Sequence, residues 1–95
     1  MVRNVGKEPI FANAPVVDDL GLRLLILCRL AGTNYSEIER LRGLARSSLS
    51  AYAGGRLYPY PKLKREVSEH LAGRLDTDAR TVHDYLFPHE AGAER

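Results

Sequence analysis

Arg46, Ser47, Ser50 and Ala51 are the residues best suited to reading a polymer through hydrogen bonds. Arg46 and Ser47 adjoin, and Ser50 and Ala51 follow one helical turn later, so on a helix the four share a side. An Arg guanidinium donates two parallel hydrogen bonds to guanine O6 and N7, a hydroxyl donates or accepts, and an Ala methyl packs on a thymine methyl. Leu49 and Tyr52, three apart between them, predict the opposite, buried face. A short helix with one apolar face and one small, basic, non-acidic face fits a major groove. A plain solvated helix face carries similar polar residues, so the surroundings must decide.

Those surroundings are the stretch 34–56, NYSEIERLRGLARSSLSAYAGGR. It predicts two short helices joined by a tight turn. The first, about 35–42, places Ile38 and Leu41 on one inner face. Gly43 follows where a left-handed residue ends a helix, and Leu44 then turns inward. The second, about 46–53, is stopped by Gly54 and Gly55. Asn34 with Glu37 has capping-box spacing, and Ser36 with Glu39 offers a second box. The N–H groups opening the first helix, with Asn34, Tyr35 and Ser36, make donors for a phosphate. Ser48 is expected there or at the start of the second helix. Downstream, RLYPYPKLKR adds Arg56, Tyr58, Tyr60, Lys62 and Lys64 as expected phosphate partners. Alternatively, one of the tyrosines closes the core and the cations are simply solvated.

The residues Ile38, Glu39, Gly43 to Ser50, Tyr52, Gly55 and Arg56 resemble the helix-turn-helix of the phage lambda-repressor-like, or Xre, family. That family's pattern reads roughly Leu-Ala-x-x-x-Gly-Val-Ser-Arg-Ser-Thr-Ile-Ser, then an aromatic or aliphatic residue and Gly-Arg. The YLFP at 85–88 is similar to the family's domain ending, and the resemblance spans about residues 20–88. It implies a compact five-helix, all-α domain in which Arg46, Ser47, Ser50 and Ala51 read bases. Two positions depart from the pattern. Glu39 stands where the family usually has Ala, and Arg42 where it usually has an apolar residue, with Leu41 beside it to take that role.

The remaining chain reads as support. Residues 1–17 form an irregular N-terminal arm interrupted by Pro9 and Pro15; it either packs Ile10, Phe11 and Val16 on the body or reaches along a partner. Asp18 or Asp19 caps a helix to about Ala31, with Leu20, Leu24, Leu27 and Ala31 inward and Leu22, Leu25 and Ile26 on the other side. Gly32 ends it. Pro61 suits the first turn of a fourth helix with Leu63, Val67, Leu71 and Leu75 giving its inner face, and Gly73 is its expected stop. Asp76 or Thr77 is expected to cap a fifth helix in which Ala79, Val82 and Leu86, with Tyr85 or Phe87, face the core. Residues 18–88 thus make the domain, and 89–95 a disordered tail.

Composition narrows the function. The 95 residues suffice for one modest core. The net charge of +2 hides a division: segment 20–65 carries nine basic and two acidic side chains, whereas 66–95 carries three and seven. The basic charge therefore sits on the paired helices and their link, as expected for a nucleic-acid face. The lone Cys28 cannot form an internal disulfide, no apolar leader opens the chain, and a cytoplasmic location is expected. The run 20–30 is shorter than the ~20 residues a membrane span needs, so no membrane partner is expected. His70, His83 and His89 lack metal-ligand spacing, and no serine has a base beside it. No enzyme activity, cofactor or metal is expected.

The reading is a sequence-specific DNA-binding transcriptional regulator, binding double-stranded DNA as a homodimer on a palindromic operator. The alternative is a protein-interaction module on the same fold (antitoxin-like, polymerase-binding or anti-repressor) that meets a protein partner through Leu22, Leu25 and Ile26.

Overall fold

A computed structural model describes Ala14 and residues 17–88, and these are all-helical. The helices are α1 (Leu20–Ala31), α2 (Tyr35–Arg42), α3 (Ser48–Ala53), α4 (Pro61–Leu75) and α5 (Ala79–Leu86). The arm 1–17, apart from Ala14 and Val17, and the tail 89–95 lie outside the described residues.

Each helix begins and ends for a local reason. Asp19 caps α1 by accepting from the Leu22 N–H at 3.2 Å, and Gly32 closes it with φ 71°. Asn34 caps α2 through the Glu37 N–H at 2.8 Å, and Gly43 closes it with φ 68°. Glu37 does not complete the capping box; its carboxylate takes the Thr33 hydroxyl at 2.6 Å. Pro61 opens α4, where a missing N–H costs no helical bond.

α4 is the central element, packing against α1, α2 and α5, while α3 is held between α1 and α2. Leu24 and Leu27 of α1, Ile38 of α2, Leu49 of α3, Leu63 and Leu71 of α4, and Val82 and Leu86 of α5 are all almost completely buried. Such a Leu contributes about 1.5–3 kcal/mol when withdrawn from water. Cys28 joins this core where Leu20 and Ala31 are only half-buried. Burial pushes its thiol up to about 12, so it remains a protonated, apolar-like group. Arg23 fastens the start of α1 to the end of α5: its guanidinium donates to the Val17 and Tyr85 carbonyls at 2.7 and 2.8 Å and lies 5.2 Å from the Tyr85 ring centre.

Three sequence expectations are corrected here. Leu41 is not inward but 54% exposed. Arg42, a full turn after Ile38, is half-buried instead, its head paired with His70 and Glu66 on α4. Second, α4 does not stop at Gly73 but continues to Leu75, because ending earlier would remove a 3%-exposed leucine from the core. Third, α5 is capped by Asp78, which accepts from the Thr81 N–H at 2.7 Å, rather than by Asp76 or Thr77.

Asp76 instead ends α4 in a left-handed conformation, φ 59°. A side chain pays for that φ with about 1 kcal/mol, and a carboxylate is unfavourable at a helix C-terminus. Asp76→Gly is expected to raise stability by about 0.5–1 kcal/mol. The check is a thermal melt; an unchanged or lower Tm would mean that Asp76 has a compensating role.

Candidate nucleic-acid interface

The candidate surface is the turn 43–47 with α3 and the start of α2. Gly43 breaks α2, and the Leu44 N–H folds back to the Glu39 carbonyl at 2.9 Å. Arg46 and Ser47, expected inside the second helix, lie in the turn before it, and α3 begins only at Ser48. Ser47 has φ 68° and its side chain makes no capping bond. Left-handed backbone at Ser47 cannot continue a helix, which is why the helix starts late.

Glu39 supplies the missing cap from the neighbouring helix. It is 6% exposed; one carboxylate oxygen accepts the Ser47 N–H at 3.0 Å and the other the Leu49 N–H at 2.9 Å. A carboxylate at a helix start satisfies orphan donors and complements the helix dipole. The departure from the family pattern is therefore the tie that joins α2 to α3.

The expected contact residues separate into groups. Arg46, Ser47 and Ser50 are exposed and Ala51 is half-buried, whereas Leu49 and Tyr52 anchor the helix inward. Ser50 already donates to the Ser47 carbonyl at 3.1 Å, leaving its lone pairs as acceptors. Asn34 and Ser36 are exposed at the start of α2, and Tyr35 is half-buried, its phenol pushed up chiefly by burial. Ser48 must be removed from the phosphate set: it is 7% exposed and its buried hydroxyl faces no partner, because position 48 rotates toward the core once the helix begins there. Tyr58 is 81% exposed, while Tyr60 packs against the core. Arg56 is exposed, and Lys64 is half-buried. Lys62 donates to the Gly43 carbonyl at 3.0 Å, so it also caps α2.

Arg40 joins this surface although it lies outside the expected contact set. It is exposed and, with Ser36, Leu44 and Arg46, lines a hollow of about 270 Å³ above Glu39. Its place one turn after Ser36 was the available signal. The hollow brings one α2 cation beside the turn's cation.

α2 is fastened to α4 by a polar cluster. Arg42 Nε donates to His70 Nδ1 at 3.2 Å, and its head lies 3.4 Å from Glu66 and 3.9 Å from Glu69. His70 thus accepts at Nδ1 and carries its proton at a buried Nε2 without a partner. Burial first, then Arg42 and Arg74, push the imidazole below 6.5, with Glu37 opposing. The unfolded chain therefore takes up this proton before the folded one does. Stability from this group is complete above about pH 6.5 and declines as pH falls through the lowered native value. Urea midpoints at pH 7.5, 6.0 and 5.0 should decline less in His70→Gln, which keeps an acceptor for Arg42. An identical decline in both proteins would remove His70 as a cause.

The chain matches no family model, no curated protein and no solved structure. No helix among the described residues is long and apolar enough to cross a membrane.

Proposed function

We propose that the chain is a small, repressor-type transcriptional regulator that binds DNA sequence-specifically and belongs with the lambda-repressor-like, Xre-type helix-turn-helix domains. The observation that carries this reading is the division of α3 and its turn. Leu49 and Tyr52 are buried, Arg46, Ser47 and Ser50 are exposed, and Arg46 shares a hollow with Arg40. In this reading Arg46, Ser47, Ser50 and Ala51 read base edges, and Asn34, Ser36, Arg40, Arg56, Tyr58 and Lys62 hold phosphates. Tyr35, Tyr60 and Lys64, each half-buried, border that set. A homodimer would set two copies of α3 about 34 Å apart on a palindromic operator.

The test is selection of bound sequences from a random DNA pool, followed by titration of the winner at several salt concentrations. One enriched palindrome and a steep fall of affinity with salt are expected. Arg46→Ala combined with Ser47→Ala should weaken operator binding by roughly tenfold to hundredfold while the melt is preserved. The fold should survive because neither side chain caps α3; the Ser47 backbone N–H, which does bond Glu39, is retained. Unchanged operator affinity would remove α3 as the reading element.

A protein-interaction role has its own support. Leu22 and Leu25 of α1 are 42% and 37% exposed, with half-buried Ile26 beside them, an apolar surface that interfaces use. No enriched DNA sequence, with only general salt-sensitive binding, would favour it.

A further inference from the structure

The outer side of α1 is apolar in its middle and charged at both ends. Leu22 and Leu25 are exposed there, with half-buried Ile26 and exposed Leu30 beside them. Arg29 follows Leu25 by four residues and so shares its side of the helix. Asp18 stands four residues ahead of Leu22, next to the capping Asp19. The face is therefore acidic where α1 starts and basic where it ends. Arg74, held on the Ala31 and Gly32 carbonyls, adds a second cation at the basic end. Among the described residues, no hydrogen bond or ion pair engages the side chain of Asp18 or Arg29.

The order of these residues complements itself when reversed. Asp18, Leu22, Leu25 and Arg29 are spaced by four, three and four. Positions 18 and 29 share a midpoint with positions 22 and 25, between residues 23 and 24. A second α1 laid antiparallel across that point brings each Asp18 to the partner's Arg29 and each Leu22 to the partner's Leu25. A parallel pair would set Asp18 on Asp18 and Arg29 on Arg29, like charge on like.

We propose that this face of α1 pairs with a second copy of the chain, antiparallel, about a two-fold axis beside residues 23 and 24. A two-fold contact needs one patch that complements itself, and the spacing and charge order of α1 supply it. The leucines drive the association, and the two crossed pairs of Asp18 with Arg29 set register and direction. The contact gives the homodimer of the proposed function an interface, yet it does not rest on DNA recognition. α1 has 12 residues, a length of about 18 Å. The contact is accordingly small, with a dissociation constant on the order of 100 µM.

The test is sedimentation equilibrium of the full chain without DNA, from about 10 µM to about 1 mM. Leu22→Glu should weaken self-association by about tenfold or more, with its melt preserved because Leu22 is exposed. Asp18→Arg and Arg29→Asp each set like charges at both crossed pairs and should weaken it by about fivefold. An equimolar mixture of those two variants should associate as the parent does, because every crossed pair is again opposite in sign. The proposal is overturned if Leu22→Glu associates as the parent does, or if the mixture associates no better than its parts. A chain that stays monomeric to about 1 mM also overturns it and leaves this face to a different protein. Such a monomer could still select an operator, so the DNA reading would stand. A dimer that selects no DNA sequence would support this interface and remove that reading instead.

Discussion

Glu39→Ala is expected to cost about 2–4 kcal/mol of stability and to lower Tm by roughly 8–32 °C. α3 has only six residues, too few to persist by its own hydrogen bonds. Ser47 gives it no side-chain cap, and its first turn relies on the Glu39 carboxylate, which takes the Ser47 and Leu49 N–H groups at 3.0 and 2.9 Å. Ala leaves both donors without a partner next to a new void. An unsatisfied buried donor costs about 1–3 kcal/mol; the Leu49 N–H is buried and the Ser47 N–H only part-buried, so the second adds about 1 kcal/mol, which sets the range. Glu39→Gln separates the causes: it fills the same space but offers one acceptor and one amide donor, so it should retain only part of the loss. Chemical denaturation of the three proteins decides the matter. If Glu39→Ala unfolds at the parent's midpoint, the two bonds do not hold α3. Under the proposed function, both variants should also weaken operator binding, since Arg46 and Ser47 ride on the turn that Glu39 fixes.

The elements with strong local signals were readable in the sequence. Asn34, Gly32, Gly43 and Pro61 each stand at the helix end that their chemistry implies, and the spacing of Leu63, Val67, Leu71 and Leu75 marks the inner face of α4. Short helices carry a weaker signal. Over the two turns of α2, spacings of three and four from Ile38 are nearly equivalent, so apolar Leu41 was favoured over Arg42. The decision came from α4, where Glu66 and His70 await a guanidinium. Gly73 looked like a stop because Gly is poor in helices by about 1 kcal/mol, yet burial of Leu75 outweighs that. The cap made by Glu39 spans eight to ten residues and links different helices, so no local pattern contains it.

Some cations of the basic segment hold the fold together and are not available to a partner. Arg23 bonds two backbone carbonyls, Arg42 bridges α2 to α4, and Lys62 caps α2. Beyond that segment, Arg74 performs the same service at the end of α1, through the Ala31 and Gly32 carbonyls at 3.0 and 3.2 Å. The cations at the candidate surface are consequently fewer than the nine counted between 20 and 65. Arg40, Arg46 and Arg56 are exposed, and under the proposed function the salt dependence of DNA binding should follow these rather than the net total.

Gly21→Ala should be the most damaging conservative change in α1. A methyl at Gly21 would lie 2.3 Å from the Ala53 carbonyl oxygen and 2.8 Å from its Cα, all backbone that cannot rotate away. α1 and the end of α3 approach so closely only because position 21 has no side chain. On an open helix surface the same substitution helps by up to about 1 kcal/mol. At Gly21 the two helices must instead move apart, and overpacking of this kind costs about 1–3 kcal/mol or more before the propensity gain is returned. A net loss of about 2 kcal/mol, or roughly 8–16 °C in Tm, is expected. Gly73→Ala is the matched control, because a methyl there meets nothing within 4 Å in the interior of α4. It should raise Tm while Gly21→Ala lowers it, so parallel thermal melts carry opposite signs. If both variants rise, the α1–α3 contact yields easily and does not fix α3. If Gly21 alone falls, the seat of α3 is set from two sides, by Glu39 at its start and by the bare backbone of Gly21 at its end.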